Sequence, residues 1–532
     1  MPPDATRALL RLILASALLR VAFAAVVGLS VDESYTVAIS RHFAWSYFDH
    51  PPLHVWLVGA WARLTGSEQP LLMRLPDVVM FAASTGILYR LTAAVYGERA
   101  GLWAAVAFNL TPVFTLNTAG GVLPDGPLVL FALLAAWSFA RAVLAPASDP
   151  RGRTWMLASG AWQGLALLSK YTAVFPLLAC CAYLPSCRPR WLREPVTWVA
   201  ALIAVAIFTP VVAWNRAHGW ASFAFQGARA LPDGFSAARA ALDFAGQLLY
   251  LFPWVAAVLL WALLQALRRG PPDAAGWLFA TLAAPAIAAF TVIGFWATVL
   301  PHWPAIGWLF TLPLAGPLLA AIERQQPRLL HGITLATALL LLGIISLLAL
   351  QTATGALGRL VPALTAHDPT LDLLDWRALA DAAARLQLRR RGMVIATVSW
   401  IDAGKSDYAL GGSIPVLCLS DDPRQFGLMH DEHALAGRDA LIVADSGRAN
   451  WLALAAPYFR KIEPAEDVVV TRAGRPALTL HTAYGRGLKF HPARGASPTP
   501  GLTDDAATLQ QGGKAQDRRR GAVNSIPRDR RA

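Results

Sequence analysis

The stretch Val31-Asp32-Glu33-Ser34-Tyr35, with its continuation Tyr47-Phe48-Asp49-His50-Pro51-Pro52-Leu53, decides how this chain is built, and it follows an apolar run from Leu9 to Leu29. Residues 31–54 hold three carboxylates and three histidines. Acidic residues at the mouth of a membrane helix are costly to keep near lipid, so they usually serve a function. The prolines and interleaved aromatic residues favour an ordered loop over a loose, solvated one.

The composition of the rest of the chain is that of an integral membrane protein. Of 532 residues, 56% are hydrophobic and 15% charged, and the mean hydropathy is +0.45. Soluble domains are nearer one quarter charged. The net charge is +13, but many arginines flank apolar runs, which indicates membrane topology rather than nucleic-acid binding. The four cysteines show no disulfide framework and no zinc-ligand spacing.

About eleven apolar segments are candidate membrane spans, some of them short. The first is predicted to be a retained span, because no signal-peptide cleavage site follows it. The segment 155–185 is either one over-long helix or two short helices, and we predict two, broken near Lys170. The candidates are 8–28, 75–96, 101–119, 124–144, 155–168, 171–185, 196–213, 243–267, 276–298, 303–322 and 330–350.

The distribution of arginines predicts the orientation of these spans. With the N-terminus inside, every inner connection is basic, as the positive-inside rule requires. Lys170, the loop 29–74, the loop 214–242 and everything after residue 350 then lie outside. The inner arginines are Arg90, Arg99, Arg141, Arg151, Arg153, Arg188, Arg190, Arg193, Arg268, Arg269, Arg324 and Arg328.

Residues 351–490 change character and predict a small α/β domain. Residues 376–391 form an amphipathic helical pattern, and 450–459 a second helix. The patterns at 393–400, 414–419 and 439–444 are those of buried strands, and 467–471 with 476–481 indicates a hairpin. Residues 491–532 are rich in Pro, Gly, Asp and Arg, which predicts a disordered basic tail.

Asp32 and Glu33 are the first candidates for chemistry. A carboxylate outside the membrane can accept the proton of an acceptor hydroxyl or amine, and Asp32 is the predicted base. The alternative is that one of the pair caps the helix that begins near Ser34, with Glu33 opposing its dipole. The two roles are compatible.

Asp49 and His50 form the second candidate site. Carboxylate and imidazole are both metal ligands, and with His302 these residues are candidates for a divalent metal site. Orientation of a substrate is the second possibility. The third is a rigid turn in which Asp49 bonds to the local backbone.

Two cations are predicted to bind a phosphate group. Lys170 lies between two apolar half-spans, where it can either snorkel to the interface or contact a lipid phosphate. Arg74 occupies a similar place at the outer end of its span. Asp125 in Leu123-Pro124-Asp125-Gly126-Pro127 is predicted to be an N-cap with a possible site role, and His302 is either a site residue or an interfacial one. The predicted substrate-binding residues are Tyr35, His50, Asp125, Tyr171 and His302.

These motifs together resemble the bacterial branch of the protein-mannosyltransferase superfamily. The resemblance is carried by the two first-loop motifs, followed in order by Arg74-Leu75-Pro76, Pro124-Asp125-Gly126-Pro127-Leu128, Leu168-Ser169-Lys170-Tyr171 and His302-Trp303-Pro304-Ala305. That branch includes galacturonosyltransferases of the Rgt type and is related to the aminoarabinose transferase of lipid A. The motifs cover roughly residues 8–350, and the segments around 402–405 and 437–440 resemble the outer domain of the same branch.

The resemblance implies a C-type glycosyltransferase fold: an all-α polytopic membrane domain over residues 1–350 with a small periplasmic α/β domain over 351–490. Such enzymes transfer one sugar from a polyprenyl-phosphate carrier to a glycan, lipid or protein acceptor outside the bacterial inner membrane. The resemblance assigns the base to Asp32, a site-lining or metal-contacting position to Asp49, and the carrier phosphate to Lys170. Relatives often have a tyrosine shortly after the His-Trp-Pro stretch, where this chain has Ile306-Gly307-Trp308.

The function predicted from the sequence is therefore a multi-pass membrane glycosyltransferase. A transporter or lipid flippase without chemistry is the first alternative, and it would place polar residues near the middle of the bilayer, whereas the candidates gather at the outer edge. A non-catalytic assembly protein is the second. No cofactor is predicted apart from the divalent metal considered above.

Overall fold

A computed structural model of the chain describes residues 3–118, 121–146, 148–229, 234–361 and 368–489. The predicted tail at 491–532 lies outside these residues. A helical part comes first and a smaller α/β part follows. The helices of the first part are α1 (Pro3–Val26), α2 (Val31–Ser40), α3 (Leu53–Thr65), α4 (Pro70–Tyr96), α5 (Glu98–Leu110), α6 (Asp125–Val143), α7 (Gly152–Ser169), α8 (Val174–Cys187), α9 (Pro195–Ala217), α10 (Ala221–Ala228), α11 (Ala237–Tyr250), α12 (Pro253–Arg269), α13 (Ala274–Ile293), α14 (Ala305–Gln325), α15 (Pro327–Thr354) and α16 (Ala356–Leu360).

Each of the eleven predicted apolar segments corresponds to helical structure, but not every one is a long helix. Within the described residues, seven helices are long and apolar enough to cross a membrane, namely α1, α4, α6, α9, α13, α14 and α15. The remaining predicted spans are α5, α7, α8 and the segment 243–267. The membrane part therefore combines full-length helices with shorter ones that complete the bundle.

The predicted span 243–267 is not one continuous helix. α11 and α12 meet at a bend of 104°, and Phe252 at the corner has a positive φ of 64°. Pro253 follows, and a proline disfavours helical geometry in the residue before it. The bend therefore has a local cause in the sequence.

The predicted break near Lys170 is confirmed. α7 ends at Ser169, Lys170 is extended with φ −156° and ψ 141°, and a single 3₁₀ turn (Tyr171–Ala173) leads into α8. α7 packs on α9 through Gly160 and Gly164, where an added Cβ would collide with Ala200 and Ile207. Small residues four apart allow close helix approach in membranes.

Residues 29–74 were predicted to be a loop, but most of this segment is helical. α2 and α3 occupy its middle, and α4 begins at Pro70. α2 holds the candidates Asp32, Glu33 and Tyr35 in fixed directions, because helical backbone fixes where each side chain points. Asp49 and His50 lie between α2 and α3. We call residues 29–74 the first-loop platform.

The C-terminal part is an α/β unit over residues 368–489 around a mixed sheet. The strand order is β2-β1-β3-β6-β4, with β5 also paired to β6. β1 is parallel to both β2 and β3, whereas β6 is antiparallel to its neighbours. Its elements are α17 (Arg377–Arg385), β1 (Val394–Thr397), α18 (Trp400–Leu410), β2 (Val416–Cys418), α19 (Glu432–Leu435), β3 (Ala440–Asp445), α20 (Trp451–Ala455), β4 (Phe459–Pro464), β5 (Val468–Arg472) and β6 (Arg475–Leu488).

This unit is fastened to the first-loop platform through α18. Arg41 at the end of α2 bonds to the buried Asp407, and Tyr408 donates its hydroxyl hydrogen to the Glu68 carbonyl (3.0 Å). Lys405 donates to the carbonyls of Leu29 (2.7 Å) and Leu374 (2.8 Å). The platform and the α/β unit therefore share one side of the bundle.

Candidate active site

The N-terminus of α2 sets the directions of Asp32 and Glu33. Ser30 caps the helix: its hydroxyl accepts from the Glu33 amide (3.3 Å), and the Glu33 carboxylate accepts from the Ser30 amide (2.8 Å). This reciprocal pair is a capping box. It turns Glu33 inward, where it is buried, and leaves Asp32 exposed. The two neighbouring acids thus have different surroundings.

Glu33 and Arg74 form a buried ion pair, each with 2% of its side chain exposed. Arg74 Nε and Nη2 donate to the two Glu33 oxygens (2.7 and 2.6 Å), and its Nη1 and Nη2 donate to the carbonyls of Val27 and Gly28 (2.7 Å each). Burial alone would raise the pKa of Glu33, but Arg74 and the amides of Ser30 and Val122 hold it below its ordinary value.

These contacts correct two predictions about roles. Four of the five N–H groups of Arg74 are used inside the protein, so we reassign this residue from phosphate binding to holding α2 in place. Glu33 is likewise reassigned from catalysis to the same ion pair and to the helix cap. Both residues hold the N-terminus of α2, and with it Asp32, in place.

Asp49 lies at the centre of a buried polar cluster. Its Oδ1 accepts from the Tyr35 hydroxyl (3.1 Å), and its Oδ2 is 3.7 Å from Arg424 Nη1 of the α/β unit. The Tyr35 hydroxyl oxygen also accepts a hydrogen bond from the backbone N–H of Gln425 (3.2 Å). The Asp49 side chain is therefore held by partners from α2 and from the α/β unit, whereas the sequence had offered a turn bonded to the local backbone.

Asp32 lies close enough to this cluster for the charges of Asp49 and Arg424 to act on its carboxylate. Although the side chain is exposed, the surrounding protein desolvates the carboxylate and raises its pKa, with Asp49 and Glu33 acting in the same direction. Arg424 is the largest opposing influence, and Arg229 also lowers the pKa. Within the described residues no hydrogen-bond or ion-pair partner contacts Asp32.

Lys170 and Asp125 form a second charged pair in the site. Lys170 Nζ donates to both Asp125 oxygens (2.9 and 2.8 Å), and both side chains are almost fully buried. The prediction that Asp125 caps α6 is wrong, because its side chain makes no cap bond and reaches the lysine instead. An ammonium has three N–H donors, so one remains for another acceptor.

Two imidazoles flank this pair. Burial, then the nearby Lys170, lower the pKa of His50 far below its ordinary value and that of His302 to about 4. Burial also lowers the pKa of His54, beside His50, to about 3. The Nδ1 atoms of His50 and His54 have no hydrogen-bond partner among the described residues. Neutral imidazoles of this kind can donate to or accept from sugar hydroxyls.

Tyr171 and α10 close one wall of the site. The Tyr171 hydroxyl bonds to Ser222 at the start of α10 (2.6 Å), and Gln226 of the same helix donates to the Asp49 carbonyl. Phe225 packs on Phe48 with ring centroids 5.0 Å apart. The predicted substrate residue Tyr171 therefore lies in the wall, bonded to protein.

The predicted metal ligands do not form a metal cluster. In the described part of the chain no group of three or more His, Cys, Asp or Glu side chains is arranged to hold a metal ion. Asp49 contacts Arg424, a cation that would compete with a metal. Asp49, His50 and His302 therefore do not fit a divalent site in this arrangement, and no step below uses one.

Two arginines in the site were not predicted. Arg424 lies in a short turn after β2 and has a positive φ of 46°, which is uncommon for a non-glycine residue. Arg229 follows α10 and lies over the rings of Phe225 and Trp303. The sequence signal for Arg424 was weak: an Asp-Asp-Pro turn in a domain far along the chain. Arg229 lies in a predicted outer loop, which was its only signal.

The sequence and the structure of the chain are both similar to those of known proteins. Residues 49–214 match the sequence model of the dolichyl-phosphate-mannose-protein mannosyltransferase family. The structure is similar to ArnT from Cupriavidus metallidurans bound to undecaprenyl phosphate, with 17% identity and a TM-score of 0.61 over 89% of this chain and 97% of that one. It is similar to the apo form of ArnT with 16% identity and a TM-score of 0.59 over 90% and 98%.

A comparison with curated proteins found no significant match. The similarity to ArnT shows the fold, and the family match covers the part of the chain that holds Asp49, Asp125 and Lys170. The resemblance seen in the sequence is thereby confirmed. The chain therefore has the fold of ArnT, and residues 49–214 are similar to the protein-mannosyltransferase family.

Proposed function

We propose that the chain transfers a sugar from a polyprenyl-phosphate carrier to an acceptor at the outer face of the bacterial inner membrane, with the α/β unit in the periplasm. The basic connections at the opposite end of the bundle support this orientation. Undecaprenyl phosphate, which is bound in the similar ArnT structure, is the carrier that we propose for this chain.

The observation that carries the proposal is the contrast among the carboxylates of the site. Glu33, Asp49 and Asp125 are buried and bonded to cations. Asp32 is exposed and has no hydrogen-bond or ion-pair partner among the described residues. A general base must be reachable by the acceptor and free to take its proton. Asp32 meets both requirements.

The proposed reaction is a direct displacement at the sugar carbon that carries the phosphate. An acceptor hydroxyl or amine attacks this carbon while Asp32 takes the acceptor proton. The bond between carbon and phosphate oxygen breaks, and its electron pair leaves with the polyprenyl phosphate. The leaving phosphate gains negative charge, so a nearby cation stabilises the transition state more than the bound donor.

Lys170 is the cation that we assign to the leaving phosphate. Asp125 holds its ammonium in place through two hydrogen bonds, and one N–H is left for a phosphate oxygen. Lys170 lies at the break between α7 and α8, where we propose that the carrier keeps its tail in lipid. His50 and His302 beside Lys170 are proposed to contact hydroxyls of the donor sugar.

The test uses purified protein with a panel of undecaprenyl-phosphate sugars that carry a neutral hexose, a uronic acid or an aminopentose. Each is offered with lipid A, a glycan or a peptide, and free undecaprenyl phosphate and modified acceptor are measured together by mass spectrometry. Stoichiometric formation of both products with one pair supports the proposal. Saturable donor binding without either product across the panel would instead favour a lipid transporter.

A further inference from the structure

We propose that the α/β unit is part of the catalytic site, with Arg424 as a positioning residue that holds Asp49 and supplies a positive charge to the acids of the first-loop platform. This inference rests on the proposed function, because it takes Asp32 to be the base. It assigns the C-terminal unit a role in the reaction itself.

The structure holds Arg424 firmly at this place. Its side chain is 6% exposed, and its guanidinium lies 3.5 Å from the centroid of the Trp400 ring. Asp422 Oδ2 is 3.6 Å from its Nε, and Asp49 Oδ2 is 3.7 Å from its Nη1. Stacking on an aromatic ring and a fork of carboxylates are the contacts that arginine makes better than lysine.

The backbone at Arg424 supports a functional interpretation. A left-handed conformation at a non-glycine residue costs free energy and persists only where the surroundings enforce it. The next residues enforce it here: Phe48 donates its amide to Gln425 Oε1 (2.9 Å), and Phe426 packs on the Tyr35 ring with centroids 5.9 Å apart. This turn therefore fits directly onto the first-loop platform.

Anchoring of the α/β unit does not account for Arg424. The unit is already fastened through α18, by Arg41 to Asp407, by Lys405 to the Leu29 carbonyl and by Tyr408 to the Glu68 carbonyl. Arg424 makes different contacts: it stacks on the Trp400 ring and lies beside Asp49. A buried guanidinium between acids of the site has an electrostatic effect that an anchor would not need.

The charges that face Asp32 come from four segments. Glu33 on its own helix and Asp49 after α2 raise its pKa, whereas Arg424 after β2 and Arg229 after α10 lower it. Desolvation also raises it. If Arg424 is removed, desolvation and the two acids still raise the pKa of Asp32, and of the two arginines only Arg229 still lowers it. Asp32 would then keep its proton up to a higher pH.

The test is the pH profile of kcat/KM for release of undecaprenyl phosphate by Arg424→Gly, Arg424→Gln and Arg424→Lys. Glycine suits the positive φ, so this variant removes the side chain while relieving the backbone; glutamine provides a second neutral variant with a full-length side chain. Arg448→Ala is the control, because Arg448 pairs with the buried Asp402 in the same unit and is not among the charges that act on Asp32.

We expect the acid limb of both neutral variants to move up by about one pH unit, with activity approaching the wild-type level in alkaline buffer. Arg424→Lys should move it less, and Arg448→Ala not at all. An unmoved limb in the neutral variants would overturn the inference while leaving the proposed function intact. If the wild type releases no undecaprenyl phosphate with any donor, the proposed function fails and the inference fails with it.

Discussion

The buried pair of Glu33 and Arg74 allows a quantitative test of whether Arg74 stabilises the fold or binds the donor phosphate. Arg74 was predicted from the sequence to bind the donor phosphate, and the structure instead uses it to hold α2. The perturbation is Arg74→Met, which keeps the length of the side chain and removes its charge. It leaves the Glu33 carboxylate buried, with only the amides of Ser30 and Val122 as donors.

The magnitude follows from what is lost. Two charge-assisted bonds to Glu33 disappear, and the carbonyls of Val27 and Gly28 lose their donors. Removal of one partner of a buried ion pair typically costs about 3–5 kcal/mol, because the other charge stays buried and uncompensated. We expect a destabilisation in this range for Arg74→Met and a similar one for Glu33→Gln.

The assay is reversible unfolding of the purified protein in mixed micelles, for both single variants and the double variant. Neither charge is left unpaired in the double variant, so its loss should be smaller than the sum of the single losses by at least about 1 kcal/mol. Undecaprenyl phosphate binding is measured in parallel on the folded fraction. Wild-type stability of Arg74→Met together with lost carrier binding would refute our reassignment and restore the phosphate role.

Further predictions concern the interface, the site and the dependence on pH. Arg41→Ala should release the α/β unit from the platform, seen as faster hydrogen exchange in α18, whereas Arg377→Ala, which removes an exposed pair, should change stability by less than about 0.5 kcal/mol. Lys170→Ala should lower turnover at least about tenfold and Lys170→Arg should be partly active, since charge survives but shape does not; equal turnover in all three proteins would mean that this lysine only pairs with Asp125. Burial raises the pKa of Asp402 to about 6, above its value of about 3.9 in an unfolded chain. The folded state therefore binds the proton more tightly, and this group should add stability, by about 3 kcal/mol at most, as the pH falls from about 7 to about 4. Asp402→Asn should remove that gain, and parallel Tm profiles for wild type and variant would contradict it.

The features that could be predicted from the sequence are local in the chain. Apolar runs and their flanking arginines gave the helices of the bundle, and the charge at Lys170 marked a helix break. Alternating topology placed Asp32, Asp49, Asp125 and Lys170 at the same end before any contact was known. The structure places Asp49 near Asp32 and pairs Asp125 with Lys170, as that reasoning required.

The features that could not be predicted are pairings between distant segments. Glu33 and Arg74 are 41 residues apart, and Phe48 is 377 residues from its partner Gln425. A sequence shows which cations are present but not which acid each one reaches, so Arg74 and Lys170 were predicted to share a role that only Lys170 is placed to perform. Arg424 was missed because the sequence predicted only that its domain lies on the same outer side as the first loop, not which residues of the domain reach that loop.

The most direct test of the central claim is single-turnover release of undecaprenyl phosphate by Asp32→Asn. Asparagine keeps the size of the side chain and cannot accept the proton, and loss of a general base typically costs about 10²–10⁴-fold. Asp375→Asn, at a partly exposed carboxylate outside the site, is the matched control. We predict that Asp32→Asn slows release by at least about 100-fold with unchanged Tm and carrier binding. Release within about threefold of wild type would contradict the assignment of Asp32 as the base.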